Sequence, residues 1–118
     1  MPVKNTAVFL EACLDSIVQQ SIHHWELIAV DDHSTDESHH ILARYEVKHS
    51  NITVLKNTGT GIIPALRLAY HKSKGNFITR MDSDDIMQPQ KLEVLQKLLL
   101  NSGPGHIACG KVKYFADF

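Results

Sequence analysis

Four short apolar runs, each closed by a polar loop, constrain this chain more than any other feature. Trp25-Glu26-Leu27-Ile28-Ala29-Val30 runs into Asp31-Asp32-His33. Ile52-Thr53-Val54-Leu55 runs into Asn57-Thr58-Gly59-Thr60-Gly61, and Phe77-Ile78-Thr79-Arg80-Met81 into Asp82-Ser83-Asp84-Asp85. Met1-Pro2-Val3 reads as the last residues of a further strand whose beginning is missing. Runs this short and this apolar fit strands buried on both faces of a parallel sheet.

Helical periods separate them. An N-cap at Asn5 or Thr6 opens a helix to about Gln20, with Phe9, Leu10, Cys13, Leu14, Ile17 and Val18 on one face. Capping-box spacing from Ser34 to Glu37 starts a second helix through Lys48. A third spans Ile62 to Ser73, with Pro64 in its first turn, and a fourth runs from near Pro89 to Leu100. Ile107 to Phe115 reads as a fifth strand. The order βαβαβαβαβ predicts an α/β fold, a Rossmann-like, mostly parallel sheet with helices on both faces.

In such a sheet ligands bind beyond the carboxyl ends of the strands. Five aspartates, Asp31, Asp32, Asp82, Asp84 and Asp85, therefore belong to one rim. Carboxylates held that close repel one another, and a divalent cation removes the cost. Mg²⁺ or Mn²⁺ takes one or two carboxylates and completes its shell with water and phosphate oxygens, which suits Asp82 and Asp84 at i and i+2. The plain alternative is a polar turn with Asp85 capping the next helix. Either Asp31 or Asp32 could cap a helix, or one of them could accept hydrogen bonds from a nucleobase or ribose. Gly59-Thr60-Gly61 reads as a turn more than as a phosphate cradle, since it lacks the Walker ending.

Composition removes other classes. The 118 residues carry 12 basic and 13 acidic side chains, a balance that argues against nucleic acid as partner. No apolar run approaches the roughly 20 residues of a membrane span. Cys13 and Cys109 form no metal or redox motif, so a cytoplasmic setting is expected. The eight histidines match no zinc spacing and read as solvated surface.

Taken together, four segments resemble the nucleotide-sugar-binding portion of family 2 glycosyltransferases, inverting enzymes of GT-A fold. Pro2-Val3-Lys4-Asn5 is similar to the family's Pro-Val-Tyr-Asn, with Lys4 in the aromatic's place. Leu10 to Gln20 resembles the first helix, Trp25 to Asp36 the stretch ending Val-Asp-Asp-x-Ser-x-Asp, and Lys74 to Leu92 the segment from Lys-Gly through Asp-x-Asp-Asp to Pro-x-Lys-Leu. The resemblance implies that Pro2, Val3 and Asn5 line the base and ribose pocket, that Asp32 sits beside the base, and that Asp82 and Asp84 form the Asp-x-Asp pair. Asp84 would then be the direct metal ligand and Asp82 would lie nearer the ribose and metal. It implies a metal-dependent, inverting transfer from a nucleotide-diphosphate sugar, with UDP-sugar favoured, to a saccharide or lipid-linked acceptor. Polysaccharide biosynthesis in the cytoplasm, at the inner membrane face, is the matching setting. Leu66-Arg67 stands where the family has an Arg-Asn or Leu-Asn pair. Residues 1–118 read as one partial domain with its first strand truncated. The acceptor half and catalytic base are expected beyond Phe118, and homodimerisation could cover the open sheet.

Two other readings share the pattern. A response-regulator-like receiver needs an aspartate at the end of its third strand, where Leu55-Lys56-Asn57 stands. A sugar nucleotidyltransferase needs a basic, glycine-rich loop after the first strand, where Lys4 alone is basic.

Overall fold

The computed structural model describes residues 1–114. Its elements are β1 (Pro2–Val3), α1 (Ala7–Val18), β2 (Leu27–Asp31), α2 (Ser38–Lys48), β3 (Ile52–Lys56), α3 (Ile62–Lys72) and α4 (Lys91–Ser102). The sheet has three parallel strands in the order β1-β2-β3. Residue alternation along β2 builds two cores. Leu27 and Ala29 face α1 and α2 in a cluster with Leu10, Cys13, Leu14, Ile17, Ile41 and Leu42. Ile28 and Val30 face the opposite way, onto Ala65, Leu68 and Ala69 of α3. Helices thus cover both faces, as a short apolar parallel strand requires.

The predicted fourth strand, 77–81, is not a strand here. Its neighbour in the sheet would be β1, two residues long. Met1 and Val3 both turn their carbonyls to β2, receiving the N–H groups of Val30 and Asp32 at 2.9 and 2.8 Å. Pro2 therefore faces the other side and brings no N–H to it. The segment lies open instead, with Phe77 and Ile78 exposed and Met81 buried in the core. A cleft of about 730 Å³ runs beside it, lined in part by Trp25, Tyr70, Phe77, Ile78 and Leu99. The predicted fifth strand is absent over residues 107–114, which pack on nothing that would order a ladder: Ile107, Val112 and Tyr114 are exposed. Phe115 lies outside the described residues.

Smaller boundaries also moved. β2 begins at Leu27 rather than Trp25 and includes Asp31. Helix α2 begins at Ser38, not Ser34, because Asp36 supplies the turn: its Oδ1 accepts the Ser38 N–H at 2.9 Å. On the outer edge of β3, Glu46 Oε1 accepts the Val54 N–H at 2.8 Å.

Candidate functional site

Each strand end delivers a loop to one rim, and the loops are tied to one another. After β1, Asn5 adopts a left-handed backbone (φ 52°). Its N–H donates to Ser34 Oγ at 3.1 Å, and its Oδ1 accepts the Thr35 N–H at 2.8 Å. Asn tolerates that conformation better than most residues. Pro2 is half-buried at the strand, and Val3, 1% exposed, lies in the core with its carbonyl bonded to Asp32 N–H. Val3 thus holds the rim in place from beneath, with its side chain in the core.

Asp32 is the centre of this rim. Its residue is 3% exposed, yet the carboxylate is fully partnered. Oδ1 accepts from Asn57 Nδ2 at 2.7 Å and from the Gly61 N–H at 3.0 Å. Oδ2 accepts from the same N–H at 3.0 Å and from Lys4 Nζ at 3.4 Å. The Asn57 amide foremost, with the Gly61 N–H and Lys4, holds the Asp32 carboxyl below the usual carboxylate range, against a burial that pulls the other way. Gly61 is also the residue that caps the start of α3, with φ 92°. A buried anion there is favoured by the helix dipole. Asn57 is itself buried and fastens its own loop, bonding Gly61 O at 3.1 Å and accepting Gly59 N–H at 3.1 Å.

The acidic turn meets this rim from the other side. Asp85 N–H donates to Asp82 O at 3.3 Å, closing the turn. Asp82 is half-buried, Ser83 buried, and Asp84 and Asp85 exposed. The Arg80 guanidinium forks onto Asp82, with Nε and Nη2 at 3.0 and 2.9 Å from Oδ1. The Thr6 hydroxyl donates to Ser83 Oγ at 3.0 Å, joining the turn to the loop after β1. Asp31 stands apart from the ligand side, its Oδ1 accepting the Ser34 N–H at 3.2 Å. Among the described residues no three His, Cys, Asp or Glu side chains gather as a metal cage. The donor set still fits Mn²⁺ or Mg²⁺, because two hard carboxylates at i and i+2, one of them exposed, leave the other positions to water and phosphate.

Cys13 is buried, with little thiolate available to act as a nucleophile. Burial first, then the nearby Asp85 and Asp84, push its thiol up to about 12.

Sequence reasoning missed Asn57, Lys4 and the Thr6–Ser83 bond. An Asn directly after a strand and before Gly-x-Gly was the available signal for the first, since Asn bonds the backbone of its own turn. Nothing local marks a bond between residues 77 positions apart.

A parallel sheet with acids at its carboxyl edge is common to several families, and comparison with known proteins decides among them. The model described as glycosyl transferase family 2 matches residues 1–118. The chain belongs to glycosyl transferase family 2. Its similarity reaches glycosyltransferase GlyG of Streptococcus pneumoniae serotype 4, 35% identical over 97 residues, covering 80% of this chain and 32% of that protein. It reaches also the putative teichuronic acid biosynthesis glycosyltransferase TuaG of Bacillus subtilis, 36% identical over 95 residues, 78% of this chain and 37% of that one. Among solved structures, S. aureus TarS 1-349 in complex with UDP superposes at a TM-score of 0.76 with 25% identity, over 85% of this chain and 30% of that one. The mannosyltransferase PcManGT from Pyrobaculum calidifontis, in complex with GDP-Man and Mn²⁺, gives 0.66 and 28% identity, over 72% and 26%. This family 2 chain therefore has the GT-A architecture, and it spans well under half the length of these relatives, 14% in the case of glycosyltransferase GlyA of S. pneumoniae. The family match does not favour the receiver reading. No helix among the described residues is long and apolar enough to cross a membrane.

Proposed function

We propose that residues 1–118 form the donor-binding portion of a glycosyltransferase that moves a sugar from a nucleotide-diphosphate carrier to an acceptor hydroxyl, with inversion. The observation that carries this reading is the Asp32 cluster. A carboxylate kept ionised under a strand edge is a fixed hydrogen-bond acceptor for a nucleobase N–H that takes the place of Lys4, its longest and most exposed partner at 3.4 Å. Pro2 and Asn5 flank it on the base and ribose side. Asp82 and Asp84 would hold Mn²⁺ or Mg²⁺, with Asp84 the direct ligand and Asp82 shared with the ribose. The ion, when bound, neutralises charge developing on the diphosphate leaving group. Arg80, forked onto Asp82, orients that carboxylate. The loops after β1 and β2 hold one another in place through Asn5, Ser34 and Thr35.

Uridine diphosphate is the favoured carrier, supported by the structures of S. aureus TarS in complex with UDP and with UDP-GlcNAc. The acceptor would be a saccharide or lipid-linked chain, and the base and acceptor half would be carried beyond Phe118. The relatives named for teichuronic acid and poly(ribitol-phosphate) support a role in surface polysaccharide synthesis, from the cytoplasm at the inner membrane face. Calorimetric titration with uridine and guanosine diphosphates, each with Mn²⁺ and with EDTA, tests the reading. Binding of uridine diphosphate that tightens with Mn²⁺ is the expected result. No heat with any nucleotide, for a chain shown to be folded, overturns it.

A further inference from the structure

The acidic turn carries the carboxylates of the proposed site, yet no strand ladder fixes it. It hangs on side chains from one stripe of α1 and its cap. The Cys13 thiol donates to Asp82 O at 3.5 Å, and Ser16 Oγ accepts the Met87 N–H at 3.0 Å. Gln20 donates to Gln88 O at 2.8 Å and accepts the Leu92 N–H at 3.1 Å. Cys13 and Ser16 lie three residues apart on one face of α1, and Gln20 follows just past its C-terminal end. Each of these bonds reaches the backbone of the segment at or outside the ends of the turn. At its middle stands Ser83, 5% exposed, held by Thr6.

Thr6 is unusual for its place. It occupies the N-cap of α1, where a threonine hydroxyl ordinarily accepts a first-turn N–H. Here it makes no such bond. Asp36 of the neighbouring loop takes the Ala7 N–H instead, at 3.0 Å. The Thr6 N–H is itself held by Ser38 Oγ at 3.0 Å, so the residue is anchored to α2 while its hydroxyl reaches the turn. An N-cap hydroxyl has been diverted across the rim, and a second residue does the capping.

The consequence follows from the burial pattern of the turn, which the Asp85 N–H to Asp82 O bond closes at 3.3 Å around Ser83 and Asp84. With Ser83 drawn inward, its neighbours Asp82 and Asp84 are turned outward, and their exposure rises from half-buried to exposed as the turn leaves the core. We infer that Thr6 and Ser83 are positioning residues. Their bond sets the separation and direction of the two carboxylates, and so governs the cation-dependent part of nucleotide binding while leaving the base-dependent part alone. This rests on the donor-binding reading above.

The test compares Thr6→Val, which keeps the shape and removes the donor, with Thr6→Ser, which keeps the hydroxyl, and with Ser83→Ala. Calorimetry measures uridine diphosphate affinity of the full chain with Mn²⁺ and with EDTA, and thermal unfolding monitors the fold. Thr6→Val and Ser83→Ala are expected to lose about tenfold in the Mn²⁺ condition, the size of one hydrogen bond at most. Their EDTA affinity stays at the wild-type level, and Thr6→Ser restores the Mn²⁺ value. Equal losses in both conditions would make the bond merely structural and overturn the inference, as would no change in either. Mn²⁺ leaving the wild-type affinity unchanged would also overturn it while sparing the nucleotide site. A wild-type chain that binds no nucleotide removes both readings.

Discussion

The two sides of the rim are built differently. Around Asp32 the bonds run between strands, loops and a helix start, and they end on a buried charge. Around Asp82 and Asp84 the chain has no ladder, and an exposed turn is moored by single side chains of α1. The first side is preorganised and pays for no ordering when a ligand arrives. The second is open on its outer face, where a cation and a diphosphate would complete it. On the proposed reading, the tightly bonded side would recognise the base and the open side would face the departing diphosphate.

The comparison breaks most visibly at Asn57. Asn57→Ala removes a donor to a buried carboxylate and frees the Gly59–Gly61 loop, and about 2 kcal/mol of stability should be lost in urea unfolding. An effect below a quarter of that would mean the Asp32 side is no stiffer than the turn. Gln20→Ala strikes the other side. It unfastens Gln88 and Leu92, so about 1–2 kcal/mol should be lost, with α4 loosening first in hydrogen exchange. Protection of α4 equal to that of α1 in this variant would contradict the mooring.

Acid sharpens the contrast by a smaller amount. The Asp32 and Asp36 carboxyls are held below their ordinary range, Asp36 chiefly by Ser38. A depressed carboxyl stabilises the fold above its unfolded value, near 3.8, and that stability is lost as pH falls through the lower folded value. Unfolding midpoints should therefore hold from pH 7 to about pH 5 and drop below about pH 4. Asp32→Asn should flatten the drop, and an unaltered profile would show that the charge is not what the cluster holds. Smallest of all is Asp84→Asn, which should change stability by less than about 0.5 kcal/mol because the side chain is exposed. It should nevertheless abolish the Mn²⁺ dependence of nucleotide binding. Retained Mn²⁺ dependence would make the turn a structural one.

What the sequence made legible follows the same divide. β2 and β3, the helices α1, α2 and α3 and their order are written in local periodicity, because the strands carry apolar residues to both faces and each helix has a single apolar side. Asp32 could be named from the Val-Asp-Asp-x-Ser stretch, but its partners could not, since Asn57 and Gly61 approach from another crossover. The run 77–81 looks like a strand by composition, and composition says nothing of whether a neighbouring edge can receive it. That edge is β1, two residues long with a proline facing outward, 75 residues away. Capping failed for a related reason: Ser34 to Glu37 has the right spacing, but Ser34 is spent on Asn5, and Asp36 serves two helices at once.

Glu46 gives one further consequence. A parallel strand at the border of a sheet offers its amide groups to any extended chain that drifts past, which is how sheets grow into fibres. The carboxylate of Glu46 already occupies the Val54 N–H, in the middle of β3. An incoming strand would have to evict a charged acceptor before its own carbonyl could bond there, and would meet that charge on docking. Growth of the sheet past β3 is thereby discouraged by one side chain, borrowed from the helix that precedes the strand.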